Sequence, residues 1–355
     1  MKITFILPKY SNKIIGGYKV VYQYADYLSG KGHSVNIVHI MNYKEHKVKK
    51  NIRYYIKYLQ MLYLQKKHAG IAWFNFKNNV QIRFINTLRN EQQLPESDKI
   101  IATAWYSAFL VDQLSGNFGD KYYFIQHYET WSGDKNDVDR SWKLPLKKIV
   151  IASWLQEIGN NLGVETKVIK NFVDGREFFV TNPIEKRKDG IVMLYHESKW
   201  KGYDTGIRAI NMVREKYPEI KVLLFGVNKR NEKIPEYAEY YYNPDRSQLR
   251  HIYNQATIFV FPSISEGWGL TATEAMKCGA ALVATNNGGV ADFGFDRKTA
   301  LISEINNSDN LSKNILELLN DNKFRMNLAK NGMDVVNRMT LETSGGILED
   351  FLTNK

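Results

Sequence analysis

The chain has 355 residues, 44% of them apolar and 24% charged, with a net charge of +12 and a single cysteine, Cys278. That length exceeds one ordinary core and suits two α/β domains of about 150–200 residues each. No apolar run approaches the roughly 18–20 residues of a membrane span. One cysteine excludes an internal disulfide and fits a reducing, cytoplasmic compartment, while the positive charge leaves nucleic acid, anionic lipid and anionic substrates to be separated as partners.

In chain order, Ile3–Leu7 reads as a first strand, because the apolar run of M-K-I-T-F-I-L-P is too short for a signal-peptide core and Pro8 and Lys9 follow it. Gly16 and Gly17 lie between that strand and a first helix, on which Val20, Val21, Tyr24, Ala25 and Leu28 share a face and which Gly30 and Gly32 end. Ser34–Ile40 is the next strand. No acid follows it in H-I-M-N-Y-K, and G-G is not G-x-G-x-x-G, so a dinucleotide dehydrogenase is disfavoured.

Residues 44–68 form a basic amphipathic segment. Lys44, Lys47, Lys49, Lys50, Arg53, Lys57, Lys66 and Lys67 face only Glu45, while Ile52, Tyr55, Ile56, Leu59, Leu62 and Tyr63 recur at helical spacing. This is either an ordinary helix with a solvated basic face or one that rests on anionic lipid. Lys99–Ala102, Tyr122–Gln126 and Lys148–Ala152 complete the strands of the first half. Asp137-Val-Asp139 imitates a metal-binding D-x-D but falls in what reads as a solvated loop. With no C-x-x-C and no H-x-x-x-H, no metal is expected.

The polar stretch T-N-P-I-E-K-R-K-D-G marks a boundary near Asn171 to Gly190 and divides the chain into residues 1–170 and 171–338. Beyond it, Ile191–Tyr195, Lys221–Phe225, Thr257–Phe261 and Ala281–Ala284 are strands. Strands alternating with helical patterns predict two doubly wound, Rossmann-like domains facing across a cleft, with ligands at the carboxyl ends of the strands.

The most informative stretch is S-E-G-W-G-L-T-A-T-E-A-M-K-C-G-A, Ser265 to Ala280. Gly267 and Gly269 expose backbone amides before a short helix that Gly279 ends, and amides at a helix start attract an anion. Glu266 and Glu274 would repel phosphate but accept hydrogen bonds from sugar hydroxyls. A nucleotide-sugar supplies both groups. The alternative for Glu274 is a capping box, Thr271-Ala-Thr-Glu274, in which it serves only its own helix. Cys278 reads as a small buried residue at the helix end.

S-x-S-E-G-W-G-L-x-x-x-E-A-M-x-C-G followed by T-N-N-G-G resembles the motif of family 4 glycosyltransferases of the GT-B fold, over Phe261–Gly289. The resemblance implies that Glu274 holds the ribose, Glu266 the transferred sugar, and the amides of Trp268, Gly269 and Leu270 the β-phosphate. It maps the diphosphate-binding lysine of the family onto Lys201 in Y-H-E-S-K-W-K-G. The family arginine falls on His196, a departure that weakens the clamp and for which Lys199 is a substitute. Gly16 and Gly17 resemble the glycine pair near the donor phosphate. His127, in Y-F-I-Q-H-Y-E, resembles a histidine near the donor sugar, with Glu129, Trp131 and Tyr106 as acceptor contacts. Tyr242-Asn243-Pro244 corresponds to the region beside the base, with Asn243 as the contact.

The resemblance further implies transfer with retention, no cofactor beyond the nucleotide-sugar co-substrate, and a carbohydrate, lipid-linked or glycoprotein acceptor. It also implies a final helix, residues 339–355, that returns to the first domain. It places the chain in the cytoplasm, peripheral at the inner membrane face if the basic segment binds lipid. A catalytically silent partner subunit of the same fold is the alternative, although such partners tend to lose Glu266, Lys201 or the glycine loop. Nucleic acid rests on net charge alone and is not expected as a partner.

Overall fold

The computed structural model describes residues 1–41, 71, 73–86 and 91–353, together with residues 52, 55, 56, 59, 60 and 63. It divides into two compact units, Met1–Lys170 with Leu341–Lys355, and Asn171–Thr340. Most of the basic segment 44–68 lies outside the described residues. The six described positions within it are helical and exposed.

Unit 1 runs β1 (Lys2–Leu7), α1 (Gly16–Gly30), β2 (Ser34–Ile40), β3 (Val80–Ile85), β4 (Lys99–Ala102), α2 (Trp105–Asp112), β5 (Asp120–Ile125), α3 (Lys135–Trp142), β6 (Lys147–Val150), α4 (Ser153–Asn161) and β7 (Thr166–Val168). Its strands pair in parallel in the order β3-β2-β1-β4-β5-β6-β7. The inner strands are buried on both faces, as parallel strands between helical layers must be. In β1, for example, every residue after Lys2 is buried.

Unit 2 runs β8 (Gly190–Leu194), α5 (Tyr203–Lys216), β9 (Lys221–Gly226), β10 (Glu239–Tyr242), α6 (Arg246–Gln255), β11 (Ile258–Phe261), α7 (Leu270–Lys277), β12 (Ala281–Thr285), β13 (Ala300–Ser303), α8 (Ser308–Asn320) and α9 (Asn322–Asn337). Its sheet is also parallel, in the order β10-β9-β8-β11-β12-β13. Ile191, Met193, Val222, Leu224, Ile258, Val260, Ala281 and Val283 alternate onto one sheet face and pack with Ala209, Ile210 and Val213 of α5 and Leu311, Ile315 and Leu318 of α8. Each larger side chain buried there contributes about 1.5–3 kcal/mol. A last helix, α10 (Leu341–Thr353), belongs to unit 1. Gly345 lies against the ring of Tyr27, His33 Nε2 meets Glu349 at 3.0 Å, and Ser344 Oγ donates to Lys170 O at 2.7 Å. Both units are Rossmann-like, and in each the strand order reverses once, between β1 and β4 and between β8 and β11. Those reversals open crevices at the carboxyl ends of the strands.

The structure corrects three local expectations. Four outer strands, β3, β7, β10 and β13, are additional; three of them are half-exposed and none carries a long apolar run. Gly16 and Gly17 do not precede the first helix but form its first two positions. Asp137 and Asp139 sit on helix α3 rather than in a loop, where Asp137 pairs with Arg140 and Asp139 accepts from Lys135 and Tyr128. Among the described residues no cluster of His, Cys, Asp or Glu could hold a metal ion.

Two ionisable groups, Arg187 buried and Glu129 half-buried, tie elements together. Arg187 donates to the carbonyls of Asn182, Tyr253, Ala256 and Cys278 and to Asn254 Oδ1. One cation thus closes the carboxyl ends of both α6 and α7, where carbonyls lack helical partners. Glu129 accepts from the Trp105 backbone N–H at 2.7 Å, at the start of α2. Burial outweighs that bond and raises its carboxyl to about 7.

Two outcomes follow. Arg187→Met leaves several carbonyls unpaired and lowers the unfolding free energy by about 3 kcal/mol, read by urea unfolding of the intact chain. For Glu129, the folded chain keeps a proton that the unfolded chain releases above its ordinary value of 4.5. Its stabilising contribution is therefore complete below that value and declines as pH rises to about 7, a loss of about 3 kcal/mol. Glu129→Gln flattens that slope in unfolding titrations from pH 4.5 to 8.

Candidate functional site

In unit 2 the chain leaves β8 through Tyr195, His196 and Glu197 and makes one 3₁₀ turn at Lys199–Lys201. Gly202 then enters the left-handed region at φ 64°, and any side chain there would collide with the carbonyl of Pro262. This close approach joins two loops. Ile264 N donates to Trp200 O at 2.7 Å. Lys201 Nζ donates to both oxygens of Glu266, at 2.7 and 2.9 Å, and Ser263 Oγ donates to Glu266 Oε1 at 2.7 Å. Glu266 is thus a buried carboxylate, 8% exposed, with three short hydrogen bonds.

A second pair of loops meets behind it. Glu266 N donates to Asn287 O at 3.0 Å, and a Cβ on Gly289 would press on Glu266 Cβ and the Trp268 carbonyl. The T-N-N-G-G run therefore backs the glutamate loop. Trp268 is buried, its ring 5.5 Å from that of Phe293. Gly269, at φ 106°, caps α7 without a side chain, so the amides of Leu270 and Thr271 begin the helix with no acceptor inside it.

That start of α7 overturns the capping-box alternative. Gly269, not Thr271, is the N-cap, which places Glu274 one turn into the helix, 6% exposed. Its Oε1 lies 3.8 Å from Arg246 Nη1, which also reaches Glu177 at 3.5 Å. Arg246 opens α6, just beyond Asn243, whose φ is 46° and whose N–H donates to Gly226 O at 2.6 Å. His196 accepts from Ser198 N at its Nδ1, at 3.0 Å. Burial, with the Lys201 ammonium beside it, holds its ring below the ordinary histidine range. It is a neutral group at pH 7, not a replacement for an arginine. Lys199 lies in the same 3₁₀ turn as Lys201. Cys278 is buried at the end of α7, where burial pushes its thiol up to about 12.

Nine predicted residues therefore gather in unit 2 around the carboxyl end of its sheet: His196, Lys199, Lys201, Asn243, Glu266, Trp268, Gly269, Leu270 and Glu274. The sequence reading missed Ser263 and Arg246. Ser263 stands three residues before Glu266, near enough to have been suspected. Arg246 gave no signal, because its carboxylate partners are distant in sequence.

The other three lie in unit 1. Gly17 O accepts from Gln126 Nε2 at 3.2 Å, which ties the start of α1 to the end of β5. Behind that loop, His39 Nδ1 meets Pro8 O at 2.8 Å, and burial holds its imidazole down at about 4. His127 follows β5, its ring edge-on to Trp131 and Trp154 at 6.4 and 5.8 Å.

Residues 174–335 match the family model described as glycosyl transferases group 1. An uncharacterized glycosyltransferase of Methanocaldococcus jannaschii is 27% identical over 201 residues, 50% of this chain and 54% of that protein. The N,N'-diacetylbacillosaminyl-diphospho-undecaprenol alpha-1,3-N-acetylgalactosaminyltransferase of Campylobacter jejuni is 29% identical over 150 residues, 41% of this chain and 39% of that enzyme. The chain thus spans about half or less of the length of these curated relatives. Sucrose-phosphate synthase from Thermosynechococcus elongatus superimposes with a TM-score of 0.72 at 17% identity, over 99% of this chain and 98% of that one. HepE of Anabaena, solved in complex with UDP and glucose, does so with a TM-score of 0.74 at 16% identity, over 99% of both chains. The chain has the GT-B fold throughout, and its residues 174–335 are similar to the group 1 glycosyl transferases.

Proposed function

We propose that the chain is a retaining glycosyltransferase that moves a sugar from a nucleotide-sugar to a hydroxyl of a carbohydrate, lipid-linked or glycoprotein acceptor. The observation that carries this reading is the arrangement in unit 2. A lysine bonded to one buried carboxylate, and a helix start that leads to a second, suit a diphosphate flanked by hydroxylated rings. Names and ligands of similar proteins support it. HepE was solved with UDP and glucose, the Campylobacter enzyme is named for transfer onto a polyprenyl diphosphate-linked sugar, and a Staphylococcus aureus relative is named for capsular polysaccharide synthesis.

The residues then divide the work. Lys201 and the amides of Trp268, Gly269 and Leu270 bind the diphosphate and stabilise the charge that grows on it as the glycosidic bond breaks. The diphosphate competes with Glu266 for the Lys201 ammonium, and Glu266, held by Ser263, then accepts from the transferred sugar. Glu274 accepts from the ribose hydroxyls, with Arg246 keeping it company as a cation, while His196, Lys199 and Asn243 flank the donor. The acceptor oxygen bonds to the anomeric carbon on the face the phosphate leaves, and its proton passes to the departing phosphate oxygen. Configuration is retained, and neither a metal nor a cofactor enters the step.

The membrane side of the proposal rests on residues 52, 55, 56, 59 and 63. Ile52, Tyr55, Ile56, Leu59 and Tyr63 are each more than half exposed, at helical spacing, in a stretch whose sequence is rich in lysine. An apolar stripe with basic flanks fits the surface of an anionic bilayer, which supports the reading of an enzyme that rests at the cytoplasmic face.

Three outcomes test this. In a thermal-shift panel of UDP-, GDP-, dTDP- and ADP-sugars, one donor class raises the unfolding midpoint. Glu274→Ala abolishes the rise, and a flat response to all four sinks the reading. Lys201→Ala slows transfer by about 3 kcal/mol, on the order of a hundredfold, with the fold intact by circular dichroism. Sedimentation with phosphatidylglycerol vesicles pulls down the wild type, and Ile56→Glu with Leu59→Glu leaves it in the supernatant. Equal recovery from uncharged phosphatidylcholine vesicles counts against the charge argument.

A further inference from the structure

Arg246, the first residue of α6, is held in place while its hydrogen-bonding capacity stays open. The helix start beneath it is fixed by a reciprocal cap. Asp245 Oδ1 accepts from Gln248 N at 2.8 Å, and Gln248 Oε1 accepts from Asp245 N at 3.0 Å. The guanidinium lies between two acids, 3.5 Å from Glu177 and 3.8 Å from Glu274. Charge-assisted hydrogen bonds measure about 2.7–2.9 Å, so these are attractions across a gap. Among the described residues the Arg246 side chain donates no hydrogen bond, although a guanidinium carries five N–H groups.

Other arginines of unit 2 are engaged at home. Arg250, one turn further along α6, donates to Glu177 O at 3.0 Å and to Ser247 Oγ at 3.3 Å, and it lies 4.5 Å over the Phe179 ring. Arg230 donates to Pro235 O at 2.6 Å and to Ala238 O at 3.1 Å. Arg187 is closed by the carbonyls described above. The Arg246 side chain is only 28% exposed, so much of its fork is withdrawn from water. Two nearby acids stabilise its charge but leave its N–H groups unsatisfied, at a cost of about 1–3 kcal/mol. An acceptor on a ligand removes that cost.

Position and chemistry say which acceptor. A nucleotide runs diphosphate, ribose, base. With the diphosphate at Lys201 and the ribose at Glu274, the base meets what lies next to Glu274, and that is the start of α6. Asn243, just before it, has its own N–H engaged with Gly226 O. A guanidinium only donates. Uracil and thymine offer it O4, and guanine offers O6 with N7. Adenine and cytosine carry an exocyclic amino group at the corresponding place, which sets donor against donor.

We propose that Arg246 selects the nucleobase: its fork favours nucleotides of uracil, thymine or guanine, which present a carbonyl oxygen, over those of adenine or cytosine, which present an amino group. This rests on the nucleotide-sugar reading above and narrows the class of donor. Arg246 is a specificity-determining residue. Glu177 is a positioning residue, whose charge steadies the guanidinium.

The test is calorimetric titration of the intact chain with UDP, GDP, ADP and CDP, which share ribose and diphosphate and differ only in the base. UDP or GDP binds about tenfold or more tightly than both ADP and CDP. Arg246→Ala weakens the favoured nucleotide until the four lie within about threefold of one another. Arg246→Lys keeps the charge between Glu177 and Glu274 without the planar fork, so it retains the wild-type unfolding midpoint and still loses most of the selectivity. A wild type that binds ADP or CDP as tightly as UDP and GDP overturns this inference alone. So does an Arg246→Ala variant that weakens all four by the same factor, the result of a merely structural role. Binding of none of the four overturns it together with the function proposed above.

Discussion

The ion pair of Lys201 and Glu266 holds together two loops that have no covalent reason to meet. Both side chains are mostly withdrawn from water, where opposite charges attract more strongly than at a surface and where either one alone would be costly. The pair needs the backbone to come close first. Gly202 supplies that approach, with no side chain against the Pro262 carbonyl, and Ile264 locks it with a hydrogen bond to Trp200. Remove the glycine and the loops separate; separate the loops and Glu266 loses its cation. A ligand diphosphate offers Lys201 a different anion, so the free protein is already charge-balanced at the position where the proposed chemistry would develop charge.

Unit 1 solves a similar problem without a charge pair. Its loops at the carboxyl edge are fixed by the half-buried carboxyl of Glu129, the indole N–H of Trp105 and Gly133 packed on that ring. Such contacts hold shape rather than charge. The two units share a parallel, doubly wound plan and each reverses strand order once. What differs is what the loops at that edge present: amides and carboxylates in unit 2, aromatic faces in unit 1.

The inner strands were legible because continuous burial writes an unbroken apolar run, as in Ile3–Leu7 and Ile258–Phe261. The outer strands β3, β7 and β10 were not, because a strand with one solvated side needs no such run, and V-Q-I-R-F-I or E-Y-Y-Y reads as loop or helix until a neighbour is known. The glutamate loop was legible because its glycines, amides and carboxylates lie within a few positions of one another. Local spacing misled at Thr271, where the N-cap lies two residues earlier, at Gly269, and no capping box forms. It was silent at Arg246 and Arg187, whose partners come from remote segments. At His196 the sequence shows a departure from the family pattern. Geometry adds that the ring is occupied as an acceptor for Ser198.

Arg187 has one more implication. By fastening α6 and α7 at their carboxyl ends, it makes the two helices one mechanical block with a fixed heel and an open toe. The toe carries Asn243, Arg246, Gly269 and Leu270. Gly269, at φ 106°, and Arg246, paired with Glu274, still hold the toe in shape. Under the proposed function, the scaffold is secured at the heel and the donor is met at the toe, so the two tasks fall to opposite ends of the same two helices.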